Sequence, residues 1–134
     1  MATFKECIYK ILQDDAKLNE AGKLGALLGH YSTAPYGIFF SHPPEEPDLP
    51  LVTYFISAQT GRFPRSIFVN LTAWGDNFEA AQNRIYALLH NASIVSTDFK
   101  TLMLKWDWAG PELFGDDLKC YYQQVRYLYK AIKL

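Results

Sequence analysis

Residues 65–74, R-S-I-F-V-N-L-T-A-W, alternate so that Ile67, Val69, Leu71 and Ala73 share one side of a pleat while Asn70 and Thr72 take the other. One glycine, Gly75, separates this strand from a helical pattern over 76–90, in which Phe78, Ala81, Ile85, Leu88 and Leu89 form an apolar stripe. Asp76 is placed to cap that helix, with Glu79 three residues on completing a capping-box-like pair. A half-buried strand followed by an amphipathic helix that can cover it makes a two-layer unit.

The same logic runs along the rest of the chain. Thr3 and Glu6 form a T-x-x-E capping box, and Phe4, Ile8, Ile11, Leu12 and Leu18 recur at helical spacing up to Gly22. A glycine-spaced segment over 22–29 reads as a helix cap with a short apolar turn, and 36–40 can supply a short strand. Four prolines within 43–50 then forbid helix and central strand, leaving a stiff connector. Residues 51–57 read as a strand and 58–64 as a turn-rich loop.

Near the C-terminus, Leu102, Leu104, Trp106 and Trp108 alternate against Met103, Lys105 and Asp107, and Tyr121, Val125, Tyr127 and Tyr129 against Tyr122, Gln124 and Arg126. Both are expected strands, joined by a long hairpin connection over 109–118. The order helix, two or three strands, helix, two strands favours an α+β fold: an antiparallel or mixed sheet of four to five strands with two helices on one face. At 134 residues and 49% hydrophobic content, residues 1–134 fit a single domain.

Charge narrows the functional classes. Thirteen Lys+Arg against fourteen Asp+Glu leave a net charge of −1, so no whole-protein field draws nucleic acid or anionic lipid. The first residues lack the apolar run of a secretion signal, and no stretch approaches the roughly 20 apolar residues of a spanning helix. A soluble chain made in the cytoplasm, without membrane contact, is expected. Cys7 and Cys120 have no C-x-x-C spacing and read as reduced core thiols.

Candidate chemistry is thin. His30, His42 and His90 lie in separate segments without metal-site spacing, so no metal is expected, and His90 at a helix C-terminus suits the helix dipole. Asp14-Asp15 and Asp116-Asp117 read as solvated turn carboxylates rather than an acid–base pair, because sequence neighbours on a helix point apart. The glycine segment 22–29 lacks the G-K-[ST] ending of a phosphate loop, and G-x-S-x-G is absent. No enzyme and no cofactor are expected. Aromatic residues, 16% of the chain, crowd the last strands; core plus subunit interface is the preferred reading, with a base-stacking platform as the alternative.

Several stretches together resemble one family. P-D-L-P-L-V-T-Y over 47–54, the strand I-F-V-N-L-T-A-W-G, the helix segment R-I-Y-A-L-L, the terminal Y-Y-Q-Q-V-R-Y-L-Y and the opening I-Y-K-I-L-Q-D-D-A-K-L are similar to the tail-completion proteins of long-tailed phages and prophages, also called tail terminators or head-to-tail joining proteins. The resemblance spans nearly the whole chain and rests on hydrophobic and turn patterns. It implies a homo-oligomeric ring, commonly a hexamer, that caps the major tail tube protein, ends its polymerisation and meets the head–tail connector protein. DNA would be only passing cargo in the lumen. The location implied is the virion tail, after synthesis in the cytoplasm of a bacterial host.

Exposure logic selects the contact residues. Arg62, Phe63 and Arg65 flank a strand start, where a basic-aromatic group can reach a tube subunit or a phosphate. Leu113 and Phe114 form an apolar tip between glycines, either a docking anchor or a closure of the core. Pro43, Pro44 and Glu45 make a stiff arm suited to reach a neighbour. The competing reading is a nucleic-acid-binding α+β module using the aromatic sheet face.

Overall fold

In the computed structural model, which describes residues 3–18, 20–28, 36–41, 49–58, 65–75, 78–90, 94, 96, 99–116 and 119–133, nine elements follow one another. They are α1 (Phe4–Ala16), α2 (Leu24–Leu27), β1 (Ile38–Phe40), β2 (Leu51–Ala58), β3 (Arg65–Trp74), α3 (Phe78–Leu89), β4 (Phe99–Ala109), β5 (Leu113–Gly115) and β6 (Cys120–Lys133). The strands form one mixed sheet of order β1-β2-β3-β6-β4, with β5 paired to β6. Only β1 and β2 run parallel; every other pair is antiparallel.

The α+β class and the mixed sheet match the expectation, but the counts are higher: six strands and three helices. The additional strand is β5, inside the stretch read as a long hairpin connection. There the chain leaves β4, turns through Gly110 and Pro111, and pairs again with β6, Leu113 opposite Tyr122 and Gly115 opposite Cys120. The additional helix is the four-residue α2, where a cap and apolar turn were expected.

One core lies between the sheet and the helices. Ile67, Val69, Leu71 and Ala73 are all buried, as the alternation requires, and meet Phe78, Ala81, Ile85 and Leu89 of α3. Val125, Tyr127 and Tyr129 of β6, Val52 and Tyr54 of β2, and Phe4, Ile8 and Leu12 of α1 join the same cluster. Each fully buried Ile or Leu contributes about 1.5–3 kcal/mol over its exposed state. Thr3 caps α1 by accepting the Glu6 N–H at 3.3 Å. The helix stops at Ala16, well before Gly22, so Leu18 falls outside it and is 42% exposed. The proposed cap residue Asp76 lies outside the described residues.

Asp15 overturns its reading as a solvated carboxylate. It is buried, receives Arg84 Nη2 at 2.6 Å and Nε at 2.9 Å, and accepts the Leu24 N–H at 2.9 Å. It thereby ties α1, α2 and α3 together. Burial by itself raises the Asp15 carboxyl pKa; the bonds from Arg84 and Leu24, with attraction from Arg84 and Lys23, outweigh that and hold it below the usual range. Gln82 is a second buried polar tie, donating from Nε2 to the Leu71 carbonyl at 3.2 Å and the Gln123 carbonyl at 2.9 Å.

Candidate assembly interface

Because the described helices share one side of the sheet, the other side is covered by none of them. Side chains directly opposite one another in an antiparallel pair share a face. The registers Thr53 to Thr72, Asn70 to Arg126 and Ser66 to Lys130 therefore place these residues on the open face together. They are linked: Gln124 Nε2 donates to Asn70 Oδ1 at 3.2 Å, Lys130 Nζ to Ser66 Oγ at 2.9 Å and Trp74 Nε1 to Thr53 Oγ1 at 3.0 Å. Trp74 also stacks on Tyr122, ring centroids 4.5 Å apart. The face is cross-linked by these side-chain bonds, with Phe55 41% exposed on it.

Arg126 sits at the hub of this face. Its Nε donates to Asp107 Oδ2 at 2.7 Å, and its guanidinium lies 4.7 Å from the Phe68 ring centre and 5.9 Å from that of Trp108. The charge is thus matched in place, and the planar group lies beside two aromatic rings.

The alternation expected for 102–108 fails here, because β4 carries register shifts between Thr101 and Leu104 and between Trp106 and Trp108. Trp106 pairs with Tyr127 and Trp108 with Arg126, which are neighbours on β6 and so point to opposite faces. A bulge inserts one residue and flips the parity beyond it. The two tryptophans, expected side by side, lie on opposite faces, and Asp107, the inserted residue, is brought to Arg126. Beyond the bulge Gly110 packs under the Trp108 ring: a Cβ there would come within 2.7 Å of the ring's far end, so a larger residue would have to displace the indole.

At the β4–β5 end the surface turns strongly aromatic. Trp106, Trp108, Leu113, Phe114 and Tyr121 are each between 44% and 53% exposed, and Phe114 meets Tyr121 edge to face at 5.2 Å. Leu113 and Phe114 therefore stand on an edge strand, not at a loop tip, and neither closes the core. Side chains alternate across β5, so Leu113 faces the open side with Tyr122 and Phe114 the other with Tyr121.

The remaining selected residues are not gathered with this patch. Arg65 opens β3 with its backbone opposite Ala131; its side chain lies outside the described residues, as do Arg62, Phe63, Pro43, Pro44 and Glu45. His30, His42 and Asp117 lie outside them too. Among the described residues no group of three or more His, Cys, Asp or Glu converges, and no described helix is long and apolar enough to cross a membrane. Cys7 is partly buried and Cys120 buried.

A solved structure aligns over 96% of this chain and 94% of its own, with a TM-score of 0.63 at 15% identity. It is a chain from the virion of a native gene transfer agent particle. The two chains share a fold. No family model and no curated protein matches. At 15% identity the shared property is the arrangement of the backbone, which is what places the open face and the β4–β5 edge.

The Arg126 cluster was missed from sequence, since the parity of β4 hides Asp107 on the wrong face. A signal for the edge patch was present: Leu113 and Phe114 between Gly110 and Gly115, beside a tyrosine pair. The signal for β5 was the same four residues, read instead as turn punctuation.

Proposed function

We propose that this protein is a structural component of a phage-like virion that caps the tail tube, ends its growth and joins it to the head connector as a ring of identical subunits. The observation that carries this reading is the near full-length fold likeness to a chain of a gene transfer agent virion. Its physical properties support it. A ring subunit needs a stiff frame, apolar anchors at its rim and a surface past which DNA moves without sticking. The bonded sheet supplies the frame, the exposed aromatic edge supplies anchors, and a net charge of −1 gives little general attraction to phosphate. A ring is built from heterologous contacts, so an isolated subunit can remain monomeric until a tube end templates closure.

Electron microscopy of particles made without this protein tests the role. Overlong tails lacking heads are expected. Joined particles with tails of normal length would overturn it.

The aromatic open face gives the nucleic-acid reading its one specific support, the Trp74–Tyr122 stack. Against it, Arg126 is matched by Asp107 and Lys130 is bonded to Ser66. Phosphate binding of that kind would weaken steeply with salt; little affinity for free DNA at physiological salt is expected.

A further inference from the structure

The β4–β5 edge is poorly suited to receive another strand. β4 carries two register shifts, Pro111 has no N–H to offer, and the Trp106 N–H donates to Nδ1 of His90, the residue that follows α3, at 3.1 Å. Bulges, proline and a covered donor blunt an edge against a second backbone. What this edge presents instead is side chains. Leu113 and Phe114 stand exposed on opposite faces of β5, with the exposed Glu112 before them and the exposed Asp116 after Gly115. Over 112–119 the sequence sets Glu112, Asp116 and Asp117 against Lys119 alone. The rim is apolar at its crest and negative around it.

The open face carries the opposite sign. Among its described residues, Arg126 and Lys130 are set against one carboxylate, Asp107. Arg126 commits only Nε to Asp107: no hydrogen bond from Nη1 or Nη2 reaches a described residue, and the side chain is 40% exposed. The outer fork of a guanidinium matches a carboxylate bidentately. Here the Asp107 bond and the Phe68 and Trp108 rings already hold the group in place, so an arriving acid has little rotamer freedom to arrest. The subunit's own Asp116 cannot supply that acid, because the Gly115–Cys120 pair beside it lies about 20 Å along β6 from Arg126.

We propose that the rim at 112–116 of one subunit docks on the open face of a second copy, placing a rim carboxylate on the Arg126 Nη groups and the Leu113–Phe114 crest against the Phe68 and Trp108 rings. Charge decides this geometry. Face against face, or rim against rim, sets like signs together, whereas rim against face joins opposite ones. A contact between two different patches of one chain is heterologous, and its repetition closes into a ring when the rotation allows. The inference rests on the ring reading above for its setting, and it names the two surfaces that would make the ring. A small contact of this kind is weak enough to leave dilute subunits monomeric until a tube end gathers them.

Self-association of the purified protein, followed by sedimentation velocity and NMR, tests the docking. The unmodified protein is expected to associate with a Kd of about 0.1–1 mM, and the Arg126 Nε–H, the Trp108 indole N–H and the 112–116 amides should shift together as its concentration rises. Glu112→Lys with Asp116→Lys breaks the rim, and Arg126→Gln breaks the face; each variant alone should associate at least about tenfold more weakly. An equimolar mixture of the two should regain pairing and stop at dimers, because one supplies an intact face and the other an intact rim. The rim acids are exposed, so the rim variant and the shifts of the unmodified protein decide the matter even if Arg126→Gln does not fold. An unmodified protein that stays monomeric at about 1 mM, a rim variant that associates as strongly as the parent, or a mixture that stays monomeric while both variants melt like the parent would each overturn the proposal. Overlong headless tails without rim-to-face pairing would remove the docking alone; such pairing alongside joined particles of normal length would remove the virion role alone.

Discussion

Asp15 and Arg84, 69 residues apart in the chain, meet in a two-point ion pair with bonds of 2.6 and 2.9 Å that locks the first helix to the third. The same carboxylate caps the Leu24 N–H, so three helices converge on one side chain. An asparagine in its place would keep a single acceptor oxygen for three donors, set an NH2 group against one of them and leave the guanidinium charge unmatched.

Asp15→Asn should therefore destabilise the fold by about 2–3 kcal/mol, below the about 3–5 kcal/mol of a fully buried pair because the Arg84 side chain is 23% exposed. Urea denaturation measures this. The pH dependence has a definite sign. The folded carboxyl pKa lies below its unfolded value of about 3.9, so its contribution is complete above about pH 4 and is lost as pH falls through the folded value. The acid limb of the stability curve should be shallower in the variant.

Gly25 packs against the end of α1. A Cβ there would collide with the Leu18 carbonyl oxygen and come within 2.6 Å of the Ala16 carbonyl oxygen. These are backbone atoms and cannot swing aside. Gly25→Ala should cost about 1–3 kcal/mol through displacement of α2, although alanine is the better helix former. Thermal melting decides the sign; a variant as stable as the parent would show that α2 can shift without loss.

Tyr127 and Tyr129 are buried, and their hydroxyls find no hydrogen-bond partner among the described residues. Tyr129→Phe should change stability at neutral pH by less than about 1 kcal/mol, because an unpaired hydroxyl contributes no bond to lose. Alkaline behaviour is different. Burial raises all three core phenols, Tyr54 to about 12 and Tyr127 and Tyr129 further. Stability that is complete below the unfolded value of about 10 is lost as pH rises from there through the folded values. Replacing Tyr129 should flatten that alkaline decline, as followed by circular dichroism.

Leu113 and Phe114 are 45% and 53% exposed on the edge strand β5. Leu113→Ser with Phe114→Ser should cost little folding stability, less than about 1.5 kcal/mol, which is the range of the Phe114–Tyr121 edge contact. Joining of heads to tails should fail in a complementation assay while the melting curve stays close to that of the parent. Normal joining would remove this pair from the docking surface.

The local pairing of strand and helix was readable before any tertiary information. The pattern over 65–74 gives β3 at its observed bounds, and the stripe Phe78, Ala81, Ile85 and Leu89 gives the buried side of α3. Both follow from periodicity, which a chain carries in its own residues. Exposure of Leu113 and Phe114 was undecided from sequence, because an apolar pair between glycines suits an edge strand and a core plug equally. Gln82 and Asp15 were illegible for a related reason: a polar side chain is buried only when distant backbone or charge arrives to satisfy it, here from Leu71, Gln123 and Arg84.

The amino-acid order alone determined the α+β class, the single amphipathic layer and the lack of any strong charge, since each depends on residue type and on repeats of two or 3.6 along the backbone. The folded arrangement decided which face of β4 each tryptophan occupies, that Asp107 meets Arg126 and that His90 reaches the edge at Trp106. A bulge is created by the partner strand, which pairs one residue against two, and no count along β4 itself contains that mismatch.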